Sequence, residues 1–152
     1  MIRLRRVGIH STAVVGDPPE MREWIMDSSK PFYRPFIDPD ARLNAFVTVD
    51  SGCERSTYVG ARTLLMAHVH IGHDALIGDG CELAPGVVIC GYAEIGEGVK
   101  IGANACVLPY KQVGAGARIG AGAVVTKNVP AGEVWVGNPA SRMLIDGVRD
   151  AA

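Results

Sequence analysis

The sequence lacks a long hydrophobic run and an excess of charge of either sign. No span of the 152 residues approaches the roughly 18 continuous apolar residues of a transmembrane helix. The net charge is −1 and the basic residues form no long run, so the electrostatic footprint of a nucleic-acid-binding protein is missing. The basic start runs into Ser, Thr, Gly and Pro instead of an apolar signal segment. We therefore expect a cytoplasmic protein whose partners include neither nucleic acid nor a membrane.

Paired cysteine motifs are also missing. The four cysteines, Cys53, Cys81, Cys90 and Cys106, form no CxxC pair, and a chain of this size needs no disulfide framework. Free thiols are expected. The length favours a single domain over residues 1–152, and an apolar fraction of 48% allows it a real core.

What the sequence does contain is a repeat of six residues. Twelve units follow one another over residues 59–130: VGARTL, LMAHVH, IGHDAL, IGDGCE, LAPGVV, ICGYAE, IGEGVK, IGANAC, VLPYKQ, VGAGAR, IGAGAV and VTKNVP. The first position is always Val, Leu or Ile, and the second is Gly in seven units. Such a fixed period indicates a solenoid built from repeated structural units.

The spacing within the repeat predicts β-structure. The fifth position of one unit and the first of the next lie two residues apart, as do side chains on one face of a strand. Positions five, six, one and two then form a short strand, and positions three and four form a corner. Three sides close a triangular coil of eighteen residues, and coils stack as parallel strands about 4.8 Å apart. The sequence therefore predicts an all-β parallel β-helix of about five to six coils.

The repeat is irregular near its two ends. Further copies precede residue 59, with a four-residue slip, RSTY, at 55–58. The segment 17–36 interrupts the repeat as an insertion, and a short helix is predicted within it at residues 21–26. Residues 141–152 are predicted to form a short C-terminal tail.

These units resemble the hexapeptide-repeat family, the left-handed parallel β-helix acyltransferases, over residues 9–140. The left hand is implied by the resemblance alone. The ending TKNVPAGEVWVGNPASRML at 126–144 is similar to the family's exit from the helix. Within the family, the chain resembles two groups. One comprises the sugar and nucleotide-sugar acetyltransferases of the sialic acid and bacillosamine pathways, and the other the UDP-N-acetylglucosamine acyltransferases of the lipid A pathway.

Three of the four histidines fall within the stretch MAHVHIGHDALIGD at 66–79. In the repeat, His68 takes position four at a corner, His70 takes position six on an outer face, and His73 takes position three at the next corner. For His68 and His70, a solvated surface histidine with no functional role is an equally good interpretation. The run HIGHD resembles the segment around the catalytic histidine of the lipid A enzymes and the His-acidic pair of the sugar acetyltransferases. Both likenesses select His73 and Asp74.

Acyl transfer from a thioester to a hydroxyl or amine requires a base for the acceptor's proton, and histidine titrates near neutral pH. The resemblance implies that His73 is this base and that Asp74 orients it. It also implies an oxyanion donor in the backbone amide of Gly91, which lies eighteen residues after His73 at the same corner. A plain corner glycine is the alternative.

The resemblance further implies an acyl donor whose pantetheine arm lies in a groove between two β-helices. Acetyl-CoA is favoured over the alternative, an acyl carrier protein, because neither a helical domain nor an acidic-partner patch is evident in the sequence. Ala103 and Ala121 match positions that contact this arm, although small residues also fill such repeats for packing. Lys127 is a candidate partner for the phosphates of coenzyme A. Glu82 stands where the bacillosamine-type enzymes place a second histidine near the donor.

The acceptor is expected to be a small molecule, a sugar or nucleotide-sugar. Tyr92 stands where the lipid A enzymes have a histidine, and this departure leaves O- and N-acylation both open. His70 is expected to face the acceptor or an adjacent chain. The resemblance implies a homotrimer with each site between two subunits. Acceptor recognition would come from coil loops, the 17–36 insertion or the neighbouring subunit.

Two other functions are compatible with the repeat. Hexapeptide-repeat carbonic anhydrases bind zinc through three histidines, and the spacing of His68 and His73 resembles two of these ligands. The segment 32–36 supplies no third histidine, and a catalytic zinc needs three ligands, so no metal is expected. A non-catalytic trimeric scaffold is the other alternative, because fold does not imply function.

Overall fold

The computed structural model describes residues 8–18, 21, 27 and 29–144. Within these ranges the chain is a three-sided parallel β-helix. The helix predicted at 21–26 lies outside the described residues except for its first residue, and the tail is described only as far as residue 144. Among the described residues, no helix is long and apolar enough to cross a membrane.

Three sheets form the three faces of the prism, and the described residues supply eighteen strands, numbered here in chain order. The six-stranded sheet contains β1 (Val14–Asp17), β4 (Thr48–Asp50), β7 (His70–Ile71), β10 (Val88–Ile89), β13 (Cys106–Val107) and β16 (Val124–Val125). The five-stranded sheet contains β2 (Phe36–Ile37), β5 (Tyr58–Val59), β8 (Leu76–Ile77), β11 (Glu94–Ile95) and β14 (Gln112–Val113). The seven-stranded sheet contains β3 (Arg42–Leu43), β6 (Leu64–Leu65), β9 (Glu82–Leu83), β12 (Lys100–Ile101), β15 (Arg118–Ile119), β17 (Val134–Val136) and β18 (Ser141–Arg142).

The six-residue period produces this architecture directly. Each regular strand consists of positions six and one, and it pairs in parallel with the strand eighteen residues away, as Val88 does with Cys106. Side chains at positions one and five point inward and are buried, for example Ile71 and Ala75, both 0% exposed. Burial of a Val, Leu or Ile side chain stabilises a fold by about 1.5–3 kcal/mol, so this column of side chains is the main source of stability.

The corners are tight turns that place position four in the left-handed region of φ. Asp74 has φ 60°, Tyr92 has φ 60° and Gly98 has φ 65°. In many of these turns the N–H of position five donates to the carbonyl of position two, as Ala75 does to Gly72 at 3.4 Å. A left-handed residue at this place in a hydrogen-bonded turn is typical of a type II turn.

Both irregular segments lie at the same corner of the prism. Thr48 pairs with His70, 22 residues along the chain, so this coil is four residues longer than the regular ones. The extra residues lie in the loop 51–57, between β4 and β5. The insertion connects β1 to β2, which belong to the same two sheets, and its Tyr33 pairs with Gly52 of the loop. We call this edge the His73 corner: the turns centred at residues 73, 91, 109 and 127, with the loop 51–57 on the preceding coil.

Candidate active site

His73 and Asp74 form a hydrogen-bonded pair in one turn of the His73 corner. The imidazole Nδ1 lies 2.9 Å from Asp74 Oδ2. The Asp74 side chain is fully buried, whereas 18% of the His73 side chain is exposed. Because an ionised carboxylate can only accept, Nδ1 carries the proton of the neutral imidazole and Nε2 keeps a free lone pair.

The loop 51–57 holds the Asp74 carboxylate in place. Oδ2 accepts the backbone N–H of Cys53, and Oδ1 accepts those of Glu54 and Arg55, each at 2.8 Å. Burial alone would raise the pKa of Asp74, but these three donors and the His73 imidazole outweigh it and hold the pKa below its usual value. Asp74 is therefore ionised at neutral pH although water does not reach it.

Two side chains of the loop fix the Asp74 backbone as well. Thr57 Oγ1 accepts the Asp74 N–H at 2.9 Å, and Arg55 Nε donates to the Asp74 carbonyl at 3.0 Å. The same guanidinium donates to Glu94 Oε1 at 3.2 Å. Asp74 is thus anchored through its side chain, its N–H and its carbonyl, which leaves His73 little freedom to reorient.

Gly91 lies directly against the free nitrogen of His73. A Cβ atom at Gly91 would stand 2.5 Å from His73 Nε2 and 2.6 Å from Cε1, so only glycine fits without moving the imidazole. The Gly91 carbonyl accepts the N–H of Tyr110 at 3.3 Å. Among the described residues no acceptor is found for the Gly91 N–H. A free backbone donor and a free imidazole nitrogen therefore lie side by side.

Two tyrosines continue the corner beyond His73. The ring of Tyr92 meets the His73 ring edge-on with centroids 5.1 Å apart, and Tyr110 stacks on Tyr92 at 4.7 Å. Burial, followed by the charge of Asp74, raises the pKa of Tyr92 to about 12, so its hydroxyl remains a donor at neutral pH. A cavity of about 290 Å³ opens here, lined by Glu54, Arg55, Tyr92, Glu94, Tyr110 and Gln112.

The other predicted residues near this corner take separate places. His70 lies on the outer face of the six-stranded sheet, with Nδ1 2.8 Å from Thr48 Oγ1 and Nε2 3.8 Å from Asp50 Oδ2. Lys127 is exposed in the His73 corner, two coils beyond Gly91. The structure thus brings His73, Asp74, Gly91 and Tyr92 together, and it leaves His70 and Lys127 at the margins.

The other three residues predicted for the donor lie on other parts of the prism. Glu82 is on the outer face of the seven-stranded sheet, where its carboxylate pairs with Lys100 Nζ at 2.9 Å. Ala103 and Ala121 lie at the corner between the seven- and six-stranded sheets, one coil apart. A single chain does not bring these three residues to His73. Their predicted role requires a second chain.

The histidines do not form a zinc site within one chain. His68 lies at the same corner as Ala103 and Ala121, and its ring stacks on Phe46 with centroids 4.9 Å apart. Among the described residues, the group that places three metal-binding side chains together is Cys53, His73 and Asp74, whose donor atoms lie within 4.8 Å of one another. Sequence reasoning did not find Cys53; its only signal was that it lies beside the slip in the repeat.

The comparisons with known proteins concern the repeat and the fold. The family model described as bacterial transferase hexapeptide (six repeats) matches residues 56–91 and 92–127. An acyl-(acyl-carrier-protein)-UDP-N-acetylglucosamine O-acyltransferase of Helicobacter pylori (strain Shi470) is 38% identical over 61 residues, 38% of this chain and 23% of the relative. A UDP-3-O-acylglucosamine N-acyltransferase of Methylorubrum extorquens (strain PA1) is 34% identical over 107 residues, 70% of this chain and 30% of the relative.

A solved structure gives the same result for the fold. The UDP-N-acetylglucosamine acyltransferase of Francisella novicida superposes with a TM-score of 0.82 at 26% identity, covering 91% of this chain and 51% of that one. The chain is a hexapeptide-repeat protein related to the sugar-nucleotide acyltransferases of that family, and it has their left-handed parallel β-helix. The predicted resemblance and fold class are confirmed. The chain spans about a quarter to a third of the curated relatives and about half of the solved structure.

Proposed function

We propose that the protein is an acyltransferase that moves an acetyl group from acetyl-CoA to a hydroxyl or amine of a sugar or nucleotide-sugar. The observation that carries the proposal is the pairing of His73 with the buried, ionised Asp74, with Nε2 of the imidazole directed at the backbone of Gly91. This arrangement combines an oriented base with an oxyanion donor. The relatives are named as acyltransferases of UDP-linked glucosamines, which supports a sugar or nucleotide-sugar as the acceptor.

In the proposed reaction, His73 Nε2 accepts the proton of the acceptor O–H or N–H as that atom attacks the thioester carbonyl. The Gly91 N–H donates to the carbonyl oxygen, which becomes the oxyanion of the tetrahedral intermediate. Asp74 stabilises the imidazolium that forms. When the intermediate collapses, the carbon–sulfur bond breaks and Nε2 returns its proton to the departing sulfur. The products are the acylated acceptor and a free thiol.

In this proposal the acceptor binds in the 290 Å³ cavity beside His73. Its wall offers the exposed ring of Tyr110, the hydroxyl of Tyr92 and the ion pair of Arg55 with Glu94. A flat aromatic face with charged hydrogen-bonding groups around it suits a hydroxylated ring, which has apolar C–H faces and polar edges.

Assembly supplies the rest of the site in this proposal. Within one prism, Ala103, Ala121 and Glu82 lie too far from the His73 corner to serve it. In a cyclic trimer the neighbouring chain brings these residues to His73 and walls the groove for the pantetheine arm, with Lys127 beside the phosphates. Analytical ultracentrifugation tests the assembly: a fully active 16.1 kDa monomer would contradict the shared site.

The activity test is a mass-spectrometric screen of sugar nucleotides and amino sugars with acetyl-CoA as donor. His73→Ala should lower turnover by about 10² to 10⁴, the usual contribution of a positioned base. Arg62→Ala is the matched control, because Arg62 is an exposed turn residue at the corner between the five- and seven-stranded sheets, which the proposed site does not use, and it should keep wild-type turnover. Full activity of His73→Ala would contradict the mechanism. Transfer from an acyl-carrier-protein thioester but not from acetyl-CoA would contradict the donor.

A further inference from the structure

We propose that Cys53, His73 and Asp74 form a binding site for Zn²⁺, and that a zinc ion held there switches off the base. Cys53 Sγ lies 3.7 Å from His73 Nδ1, and Nδ1 lies 2.9 Å from Asp74 Oδ2. All three donor atoms are within 4.8 Å of one another. The metal site stands on this geometry alone, whereas the loss of activity rests on the proposed function.

The donor set and its spacing suit zinc. Thiolate, imidazole and carboxylate are the three side-chain ligands that Zn²⁺ takes in proteins. Bonds of about 2.0–2.3 Å in a tetrahedron place ligand atoms roughly 3.3–3.8 Å apart. The distance from Sγ to Nδ1 already falls in this range, and Nδ1 and Oδ2 need to separate by less than about 0.5 Å.

The surroundings hold two of the ligands in place before any ion arrives. The Asp74 carboxylate accepts three backbone N–H groups of the loop 51–57, the kind of support that orients metal ligands. Cys53 is 7% exposed and belongs to the same loop. The ring of His73 is partly exposed, so the ion can enter from solvent along it. A water molecule can then take the fourth coordination position of the zinc ion.

A zinc ion at this place would act on the base through the imidazole tautomer. The ion takes the lone pair of Nδ1, so the proton that Nδ1 carried moves to Nε2. With a proton on Nε2, the nitrogen beside Gly91 can no longer accept one from an acceptor. The Cys53 S–H bond breaks as the zinc–sulfur bond forms, and one proton leaves to solvent. Asp74 exchanges its hydrogen bond to Nδ1 for a bond to the ion.

A second thiol pair provides an internal control. Cys90 Sγ and Cys106 Sγ lie 3.9 Å apart, and both residues are partly exposed, so they could also take up a thiophilic ion. They are not among the groups of described residues that offer three metal-binding donors. Cys90→Ala therefore removes a competing thiol and leaves the proposed site intact.

The binding experiment is a Co²⁺ titration of the full chain, followed by the near-ultraviolet absorption that arises when a thiolate binds cobalt. The wild type and Cys90→Ala should show this band at one ion per chain, and Zn²⁺ should displace it. Cys53→Ala should lose the band and bind at least about 100-fold more weakly, because even a supporting residue contributes 10- to 100-fold. If Cys53→Ala misfolds by circular dichroism, Cys53→Ser keeps the side-chain size and should lose the band too.

A wild type without the band, or a band that survives in Cys53→Ser and disappears in Cys90→Ala, would overturn the site. The activity measurement then addresses the switch. Stoichiometric zinc should abolish acyl transfer by the wild type, and a chelator should restore it. Transfer that continues with zinc bound would overturn the switch. A chain that binds cobalt through Cys53 but acylates no acceptor after chelation would contradict the proposed function and leave the metal site standing.

Discussion

The His73 corner and the corner between the five- and seven-stranded sheets have the same backbone conformation but differ in their side chains. At the second corner, which we call the glycine corner, the left-handed position is Arg62 in one coil and glycine in the next four, Gly80, Gly98, Gly116 and Gly132, around which a Cβ would meet nothing within 4 Å. At the His73 corner the same position carries Asp74 and the two tyrosines, at φ near 60°. Left-handed φ costs a non-glycine residue about 1–2 kcal/mol. The fold favours glycine there, so the side chains of the His73 corner oppose local stability.

The two corners also differ in the hydrogen bonding and burial of their aspartates. Asp79 at the glycine corner accepts the Ala61 N–H at 3.0 Å and pairs with Arg62 at 3.6 Å, with 38% of its side chain exposed. Asp74 is fully buried under the loop 51–57, with three backbone donors. Both chain insertions fall at the His73 corner, and the regular repeat turns the glycine corner without extra residues. The irregular chain is therefore concentrated where it covers the His73–Asp74 pair.

The largest effect expected from this comparison is that of Asp74→Ala. Three backbone N–H groups, one buried and two partly buried, lose their acceptor, and we expect the free energy of unfolding to fall by about 3 kcal/mol. Turnover should also fall, by less than in His73→Ala. Asp79→Ala is the matched control and should lower the unfolding free energy by under about 1 kcal/mol, because its interactions are exposed. Urea denaturation measures both. Equal losses in the two variants would show that the loop does not depend on Asp74.

Gly91→Ala tests the contact between the two coils of the His73 corner. Ala115 holds the equivalent turn position at the glycine corner, so the turn accepts alanine and the free energy of unfolding of Gly91→Ala should change little. The new Cβ, however, would displace the His73 ring, and a misplacement near 1 Å lowers turnover by about 10²-fold. Ala115→Gly makes the reverse change away from the site and should leave turnover unchanged. Wild-type turnover in Gly91→Ala would show that the position of the ring is unimportant.

The depressed pKa of Asp74 predicts a pH dependence of stability. A carboxyl group whose pKa is lowered on folding stabilises the protein fully above its unfolded value of about 3.9, and this contribution is lost as the pH falls through the folded value. The difference in Tm between the wild type and Asp74→Asn should therefore be largest near neutral pH and shrink below about pH 3.9. Thermal melts from pH 7 to 2.5 measure it. A constant difference over that range would contradict the assignment to Asp74.

Much of this arrangement could be predicted from the six-residue period. The period gives the inward positions, the three faces and the stacking of Gly91 on His73, because residues eighteen apart share a corner. It does not give the loop that buries Asp74. The donors there are backbone N–H groups of Cys53, Glu54 and Arg55, which any residues could supply, and the slip removes the register that would place them. The role predicted for Glu82 stays a prediction for another reason, since its face meets His73 only if a neighbouring chain is present.

The smallest expected effects come from exchanging the residue types at the left-handed position itself. Gly98→Ala adds a methyl group into open space, so its only consequence is backbone strain of about 1–2 kcal/mol in the free energy of unfolding, with turnover unchanged. Tyr110→Gly makes the opposite exchange. It removes the same strain but also the stack on Tyr92, which contributes about 0.5–1.5 kcal/mol, so stability should change by less than about 1 kcal/mol. The KM for the acceptor should rise, because Tyr110 forms one wall of the proposed cavity. Chemical denaturation of the two variants measures the backbone strain and the loss of the stack, and steady-state kinetics measures the effect on acceptor binding. A Gly98→Ala protein as stable as the wild type would remove the strain argument from both corners.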